Sequence, residues 1–170
     1  MGIAVDQELE RVMMAADEIG IRLEIVAGVP YWEMQPGYRH QQVARRIADS
    51  LSRGKSNHDC ACVSALDVGI RFHDGSVKRP DVSIFCREPD EQDGLVTLIP
   101  EAVVEVVSPG YEAKDFEIGP SFYLSQGVRD VVVHDPRSGR TVHFRSSQTN
   151  EIILPAQIEF LCGCAVEISR

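Results

Sequence analysis

Apolar positions along this chain recur first at helical and then at strand spacing. In DQELERVMMAADEIG, the residues Leu9, Val12, Met13 and Ala16 share one face of a helix that Gly20 stops. IRLEIVAGVPYWEM reads as two short strands joined by a turn at Ala27-Gly28. After Pro36-Gly37, YRHQQVARRIADSLSRG predicts a second helix, with Val43, Ile47 and Leu51 on its apolar face and Gly54 as its stop. The pattern then changes to strands. CACVSALDVGIRF forms one stretch and Asp74-Gly75 marks a turn. In RPDVSIFC, Val82, Ile84 and Cys86 alternate with Asp81, Ser83 and Phe85. EPDEQDG is a charged surface loop, and IPEAVVEVVSP is a more buried strand because its apolar residues run almost without alternation. An irregular segment, a helix and the buried strand RDVVVHDP follow. TVHFR pairs with that strand as a hairpin across DPRSGR, and short strands near EIIL and AVEIS finish the chain. Helices before and between strands predict an α/β (α+β) architecture with a central mixed β-sheet flanked by helices.

Three carboxylates interrupt this apolar patterning: Glu24 in RLEIV, Asp81 in RPDVSIF and Glu105 in VVEVV. A carboxylate among valines is costly to bury unless it is paired or metal-bound. The alternative is a strand with one solvent-facing position, where Glu is unremarkable. Periodicity alone leaves both readings open.

At 170 residues the chain is long enough for one domain with a real core, and nothing in it repeats. A hydrophobic fraction of 44% and a charged fraction of 25% belong to a globular protein. No apolar run approaches the roughly 20 residues that span a bilayer. MGIAVDQELERVMM has no basic start followed by an apolar stretch, and Asp6 stands where myristoylation needs Ser or Thr, so the expected location is cytoplasmic. The formal charge of −9 argues against a tight, unspecific DNA coat. It does not exclude DNA, because carboxylates at a metal site contribute to it. Cys60, Cys62, Cys86, Cys162 and Cys164 make an odd count, which together with the missing export signal speaks against a disulfide framework. The two Cys-x-Cys pairs invite zinc, but paired zinc cysteines are usually spaced more widely and no histidine pair accompanies them. Buried small side chains are the simpler expectation.

The run RPDVSIF, PEAVVEVVSP and YLSQGVRDVVVHDP resembles the Uma-type restriction-endonuclease family of the PD-(D/E)XK nuclease superfamily. LEIVAGVPYWEMQPGYRHQQVARRIADSL resembles that family's Glu-containing opening hairpin and its His-led helix. The likeness covers roughly positions 21–168, behind an N-terminal helix at 1–20, and makes 1–170 a single restriction-endonuclease-like domain. It implies a metal-dependent phosphodiesterase acting on DNA. Asp81 and Glu105 would bind Mg²⁺ or Mn²⁺, hard ions suited to oxygen ligands, with the backbone carbonyl of Val106 as a further ligand. Glu24 would help position the ion or a water. His40 could touch the phosphate or a ligand carboxylate, or be a solvent-exposed histidine at a helix start. Proteins of this class are often dimers, and Trp32 near the opening hairpin is compatible with a homodimer contact.

The departure from the family lies in its lysine. Superfamily members usually carry one two residues after the Glu, where this chain has Val107. In the Uma-type pattern it commonly lies in the following helix, four residues after an Asp and four before a Tyr. With Asp115 and Tyr123 as those markers, the position falls on Gly119, which cannot stabilise developing negative charge. Lys114 is the nearest replacement, either folded back towards Glu105 along an irregular segment before Pro120 or standing as an ordinary surface lysine. A catalytically impaired relative that binds nucleic acid or serves in assembly is the alternative function. Other chemistries lack support: there is no phosphate-binding glycine loop and no Gly-x-Ser-x-Gly elbow. His134-Asp135 reads as the start of a turn, and Arg39, Arg45 and Arg46 as a basic or simply solvated helix face.

Overall fold

A computed structural model of the chain describes residues 2–56 and 60–170, with side chains described from residue 7 onward. Helix α1 (Gly2–Glu18) leads into the hairpin β1 (Ile21–Val26) and β2 (Val29–Met34), then α2 (Tyr38–Asp49) and the short β3 (Ser52–Arg53). Next come β4 (Val63–Leu66), β5 (Ile70–Arg71), β6 (Val77–Lys78), β7 (Val82–Phe85) and β8 (Ala102–Val106). A π-helical turn at Lys114–Ile118 runs directly into α3 (Gly119–Ser125). The chain ends through β9 (Asp130–His134), β10 (Thr141–Arg145), β11 (Gln148–Glu151), β12 (Ala156–Glu159) and β13 (Cys164–Ile168).

Six strands form the central mixed sheet in the order β11-β10-β9-β8-β7-β4. Only β8 and β9 run parallel in it, Val104 facing Val132 and Glu105 facing Val133. These two strands lack alternation because both faces of the sheet are covered. On one face Val82, Ile84, Val104, Val106 and Val132 pack beneath Val43, Ala44, Ile47 and Ala48 of α2, together with Ile158, Val166 and Ile168 of the sheet β12-β13-β3. On the other, Phe85, Val103, Val107, Val131 and Val133 meet Tyr123 of α3. Each fully buried valine contributes roughly 1.5–3 kcal/mol. The sheet β2-β1-β6-β5 carries α1, with Met13, Ala16, Leu23 and Val77 as its core. Its β1–β2 turn places both Ala27 (φ 49°) and Gly28 (φ 79°) in the left-handed region that a two-residue hairpin demands.

The α+β class and the central mixed sheet follow the sequence pattern, and the differences are local. Helix α2 stops at Asp49 rather than running to Gly54, because Ser52 and Arg53 are drawn off to pair with Ala165 and Cys164. Ser50 secures the exit, its hydroxyl donating to the Ile47 carbonyl and accepting the Glu167 N–H. CACVSALDVGIRF is not one strand: at Asp67 (φ 52°) the chain leaves the six-stranded sheet and enters the four-stranded one. Val12, placed by spacing on the buried face of α1, is exposed. The strand expected near EIIL is displaced: only Glu151 of that run is in a strand, and β12 forms instead at Ala156–Glu159, which its polar sequence AQIE did not announce. Contrary to the expectation from the odd count, the structure joins Cys60 to Cys164 and Cys62 to Cys86, leaving Cys162 free. Sequence spacing does not reveal convergence of segments this distant. Among the described residues no helix is long and apolar enough to cross a membrane.

Candidate active site

A polar cavity of about 310 Å³ opens where the β7–β8 ladder ends, and Glu24, His40, Asp81, Glu105, Val106 and Lys114 all line it. Beyond the last ladder pair, Val82 with Val104, side chains replace the missing strand partners. The Val106 N–H donates to Asp81 Oδ2 at 2.8 Å, and the Asp81 N–H donates to Glu105 Oε2 at 3.2 Å. Two carboxylates on adjacent strands are thereby held side by side.

Each is set differently by its surroundings. Asp81 is 7% exposed, and burial alone would raise its pKa. The hydrogen bond from His40 Nε2 (3.1 Å), the nearby Arg22 (3.4 Å) and the Val106 N–H outweigh burial and hold Asp81 below the ordinary range. Glu105 goes the opposite way: burial first, and the neighbouring Asp81 charge second, push it well above the usual carboxylate value. Its Oε1 accepts a bond from the Tyr123 hydroxyl at 2.5 Å. Tyr123 is itself pushed up, by burial and by Glu105. His40 is 11% exposed and not the solvent-facing helix-start residue that was the alternative. Burial lowers its pKa, but the bond and charge of Asp81 and the Val106 backbone win and raise it.

Strand β1 supplies Arg22 and Glu24 on one face while Leu23 points into the α1 core, as alternation requires. Glu24 is 2% exposed and accepts the Arg79 N–H at 2.9 Å. Burial opposes its ionisation, but Lys78 (3.4 Å) and Lys114 (3.5 Å) flank its Oε2 and lower its pKa. Lys114 opens the π-helical turn and points into the cavity, yet its amine pairs with Glu24 and Glu33, not with Glu105. Gly119 is buried in the first turn of α3, where a Cβ would meet Tyr123 Cε2 at 4.0 Å and the Lys114 carbonyl at 3.5 Å, ordinary contacts. Asp115 is raised to about 6, by burial against the pull of Lys114 and with help from Asp81.

Sequence reasoning missed Arg22, Glu33, Lys78 and Asp115 as members of this cluster. Arg22 had a signal, since it stands two residues from Glu24 and so shares its strand face. Lys78, 4% exposed and 4.9 Å above the Tyr123 ring, had none: in SVKRPD it looks like a surface lysine before a turn. His134 and Asp135 lie elsewhere. His134 bonds Thr141, and Asp135 accepts from Ser138 and the Arg137 N–H within the turn that was expected there.

The profile of the Uma2 family, described as "Putative restriction endonuclease", matches residues 6–160. Among solved structures, a "putative nuclease belonging to DUF820" from Anabaena variabilis superposes with a TM-score of 0.64 over 81% of this chain and 80% of its own, at 19% identity. At that identity the likeness speaks for the restriction-endonuclease-like fold. No curated protein sequence matches the chain.

Proposed function

This chain belongs to the Uma2 family, and we propose that it is a divalent-metal-dependent DNA endonuclease hydrolysing phosphodiester bonds in the cavity around Asp81 and Glu105. The observation that carries the reading is the carboxylate pair itself. Glu105 receives hydrogen bonds from Tyr123 and the Asp81 N–H, but no Lys, Arg or His among the described residues forms an ion pair with it. A buried, like-charged pair left with this deficit is suited to a cation. Asp81, Glu105 and the Val106 carbonyl form a hard oxygen set, which favours Mg²⁺ or Mn²⁺ over softer metals. When bound, such an ion would neutralise charge at the scissile phosphate and acidify a water.

The remaining residues take roles from their contacts. His40 donates to Asp81 and keeps that carboxylate ionised and aimed. Lys114 offers a cation at the cavity wall for the charge that develops on the phosphate, and Glu24 fixes where that cation stands. Asp81, Glu105 and Lys114 are thus the proposed catalytic residues, with Glu24 and His40 as positioning residues. Paired cuts in a duplex suit two sites, and a homodimer is part of the proposal. It is supported by the edge strand β2, where Val29, Tyr31, Trp32 and Met34 are all exposed. A cytoplasmic setting fits these roles.

One observation favours a second reading, a relative that binds nucleic acid without cutting it. The amine of Lys114 is already engaged by two carboxylates, and Gly119 leaves the other lysine position empty of charge. Supercoiled plasmid and branched DNA incubated with Mg²⁺, Mn²⁺ or chelator separate the two readings. Metal-dependent cleavage by the native chain supports the endonuclease. Binding of the same DNA without any cutting supports the second reading.

A further inference from the structure

At the far end of β7 from Asp81, all five cysteines converge from three distant segments. The register pairs Val63 with Phe85, which sets Cys62 opposite Cys86 one step beyond the β4–β7 ladder. The turn between β12 and β13 is closed by the Phe160 N–H donating to the Cys164 carbonyl and the Gly163 N–H donating to the Phe160 carbonyl. Gly163 takes the left-handed conformation (φ 88°), and this turn delivers Cys162 and Cys164 to the same place. The sulfurs of Cys60, Cys62 and Cys164 lie within 4.8 Å of one another, as do those of Cys62, Cys86 and Cys162.

We propose that these cysteines, as thiols, form a structural Zn²⁺ site. Cys62, Cys86 and Cys162 supply three ligands and either Cys60 or Cys164 the fourth. Tetrahedral Zn²⁺ with bonds of ~2.3 Å holds its sulfurs about 3.8 Å apart, a spacing that each of the two groups of three, joined through Cys62, already approaches. Two disulfides use four of the sulfurs and give Cys162 no role, although it stands within reach of both Cys62 and Cys86. A zinc site gives it one. A low-molecular-weight thiol first reduces the two disulfides by exchange, becoming oxidised itself and leaving five thiols, and metal binding then displaces thiol protons with no further redox change. The ion would tie the segment at Cys60 and Cys62 and the end of β7 to the β12–β13 turn, whose strands share the core beneath α2. This inference stands independently of the nuclease reading.

The test is metal content and thiol count on the full chain purified without chelator or reductant. The expected result is about one equivalent of Zn²⁺ per chain, with all five thiols reactive once the protein is denatured and the metal chelated. Replacement by Co²⁺ should give the intense visible absorption of a tetrahedral thiolate site, a readout on the unaltered protein. Cys62→Ser, which removes the sulfur common to both groups, should lose the metal, and Cys162→Ser should lower occupancy. The proposal is overturned by a metal-free chain with a single reactive thiol that, once reduced, takes up neither Zn²⁺ nor Co²⁺. Full zinc occupancy in Cys62→Ser overturns it as well.

Discussion

Replacing Asp81 by Asn and by Ala separates its chemistry from its structural load. The carboxylate accepts the Val106 N–H at 2.8 Å, bonds His40 at 3.1 Å and faces Arg22 at 3.4 Å. In Asp81→Ala the Val106 N–H is left buried without an acceptor, a loss of about 1–3 kcal/mol. Arg22 loses one of its partners but keeps Asp67 at 2.9 Å and the Arg79 carbonyl, so its share is smaller. Removing a negative charge beside Glu105 returns part of this. The net expectation for Ala is a loss of roughly 2–4 kcal/mol, or a Tm lower by roughly 5–15 °C for a chain of this size. Asp81→Asn keeps an oxygen for the Val106 N–H and should cost only about 1 kcal/mol.

Cleavage should not follow stability. Both variants lack the anion that holds the metal, and several kcal/mol of transition-state stabilisation correspond to a fall on the order of 10²-fold or more. The assays are metal-free thermal denaturation and the rate of plasmid nicking in Mn²⁺, run on the same preparations. A well-folded Asp81→Asn that nicks at the native rate refutes Asp81 as a metal ligand. An Asn variant as unstable as Ala refutes the assignment of stability to the Val106 bond.

Four further outcomes follow from the same geometry. Glu105→Gln resembles the protonated form that burial and Asp81 favour, so metal-free stability should hold or rise. Mn²⁺ at a hundred times its Kd should stabilise the native chain by about 2.7 kcal/mol and leave this variant unmoved in denaturant titrations. Gly119→Lys meets only ordinary contacts at Cβ and replaces a helical glycine; it puts a cation at the position the sequence leaves neutral, and nicking should rise at least tenfold over the native chain. The folded pKa of Asp115 is raised to about 6, so the stability it contributes is present below its unfolded value and lost as pH climbs through 6. Allowing for its partial exposure, on the order of 2 kcal/mol should disappear between about pH 4 and 6 in metal-free denaturation curves, and Asp115→Asn should make that loss smaller by this amount. Arg39 and Arg46 are exposed on α2, close in sequence to His40, and removing both should flatten the salt dependence of DNA binding by about two in the log–log slope without altering metal affinity.

The sheet was readable wherever burial was two-sided or alternation clean. AVVEV and DVVVH became strands because runs of valine leave the chain little else to do once both faces are covered. Failures came where tertiary pairing decided the outcome. Helical spacing continues through Leu51, but β13 recruits Ser52 and Arg53, and backbone bonds to another strand override the local periodicity. The candidate site was legible to the extent that its carboxylates violate the apolar pattern. Glu24, Asp81 and Glu105 announce themselves by their neighbours, whereas Lys78 and Asp115 sit in segments polar enough to look solvated. Only the fold shows that β6 runs antiparallel to β1, with Ile25 opposite Val77, and so brings Lys78 to Glu24.

The unequal titration of Asp81 and Glu105 follows from which groups each strand end can reach. Asp81 lies just before β7, where α2 delivers His40 and β1 delivers Arg22, so its anion is stabilised from two sides. Glu105 lies within β8, flanked by valines, and its side chain bonds Tyr123 and the Asp81 backbone, neither of which carries positive charge, while burial and the Asp81 charge outweigh the pull of Lys78. A second cationic side chain against Glu105 would make the pair self-sufficient and remove its demand for an ion. Leaving Glu105 without one costs stability in the metal-free chain and makes its ionisation depend on what enters the cavity. Metal binding should therefore release a proton, and its apparent affinity should rise with pH as that proton becomes easier to displace. Calorimetry in two buffers of different ionisation enthalpy measures this directly; binding heats that are the same in both would mean that Glu105 is already ionised and the proposed asymmetry is wrong.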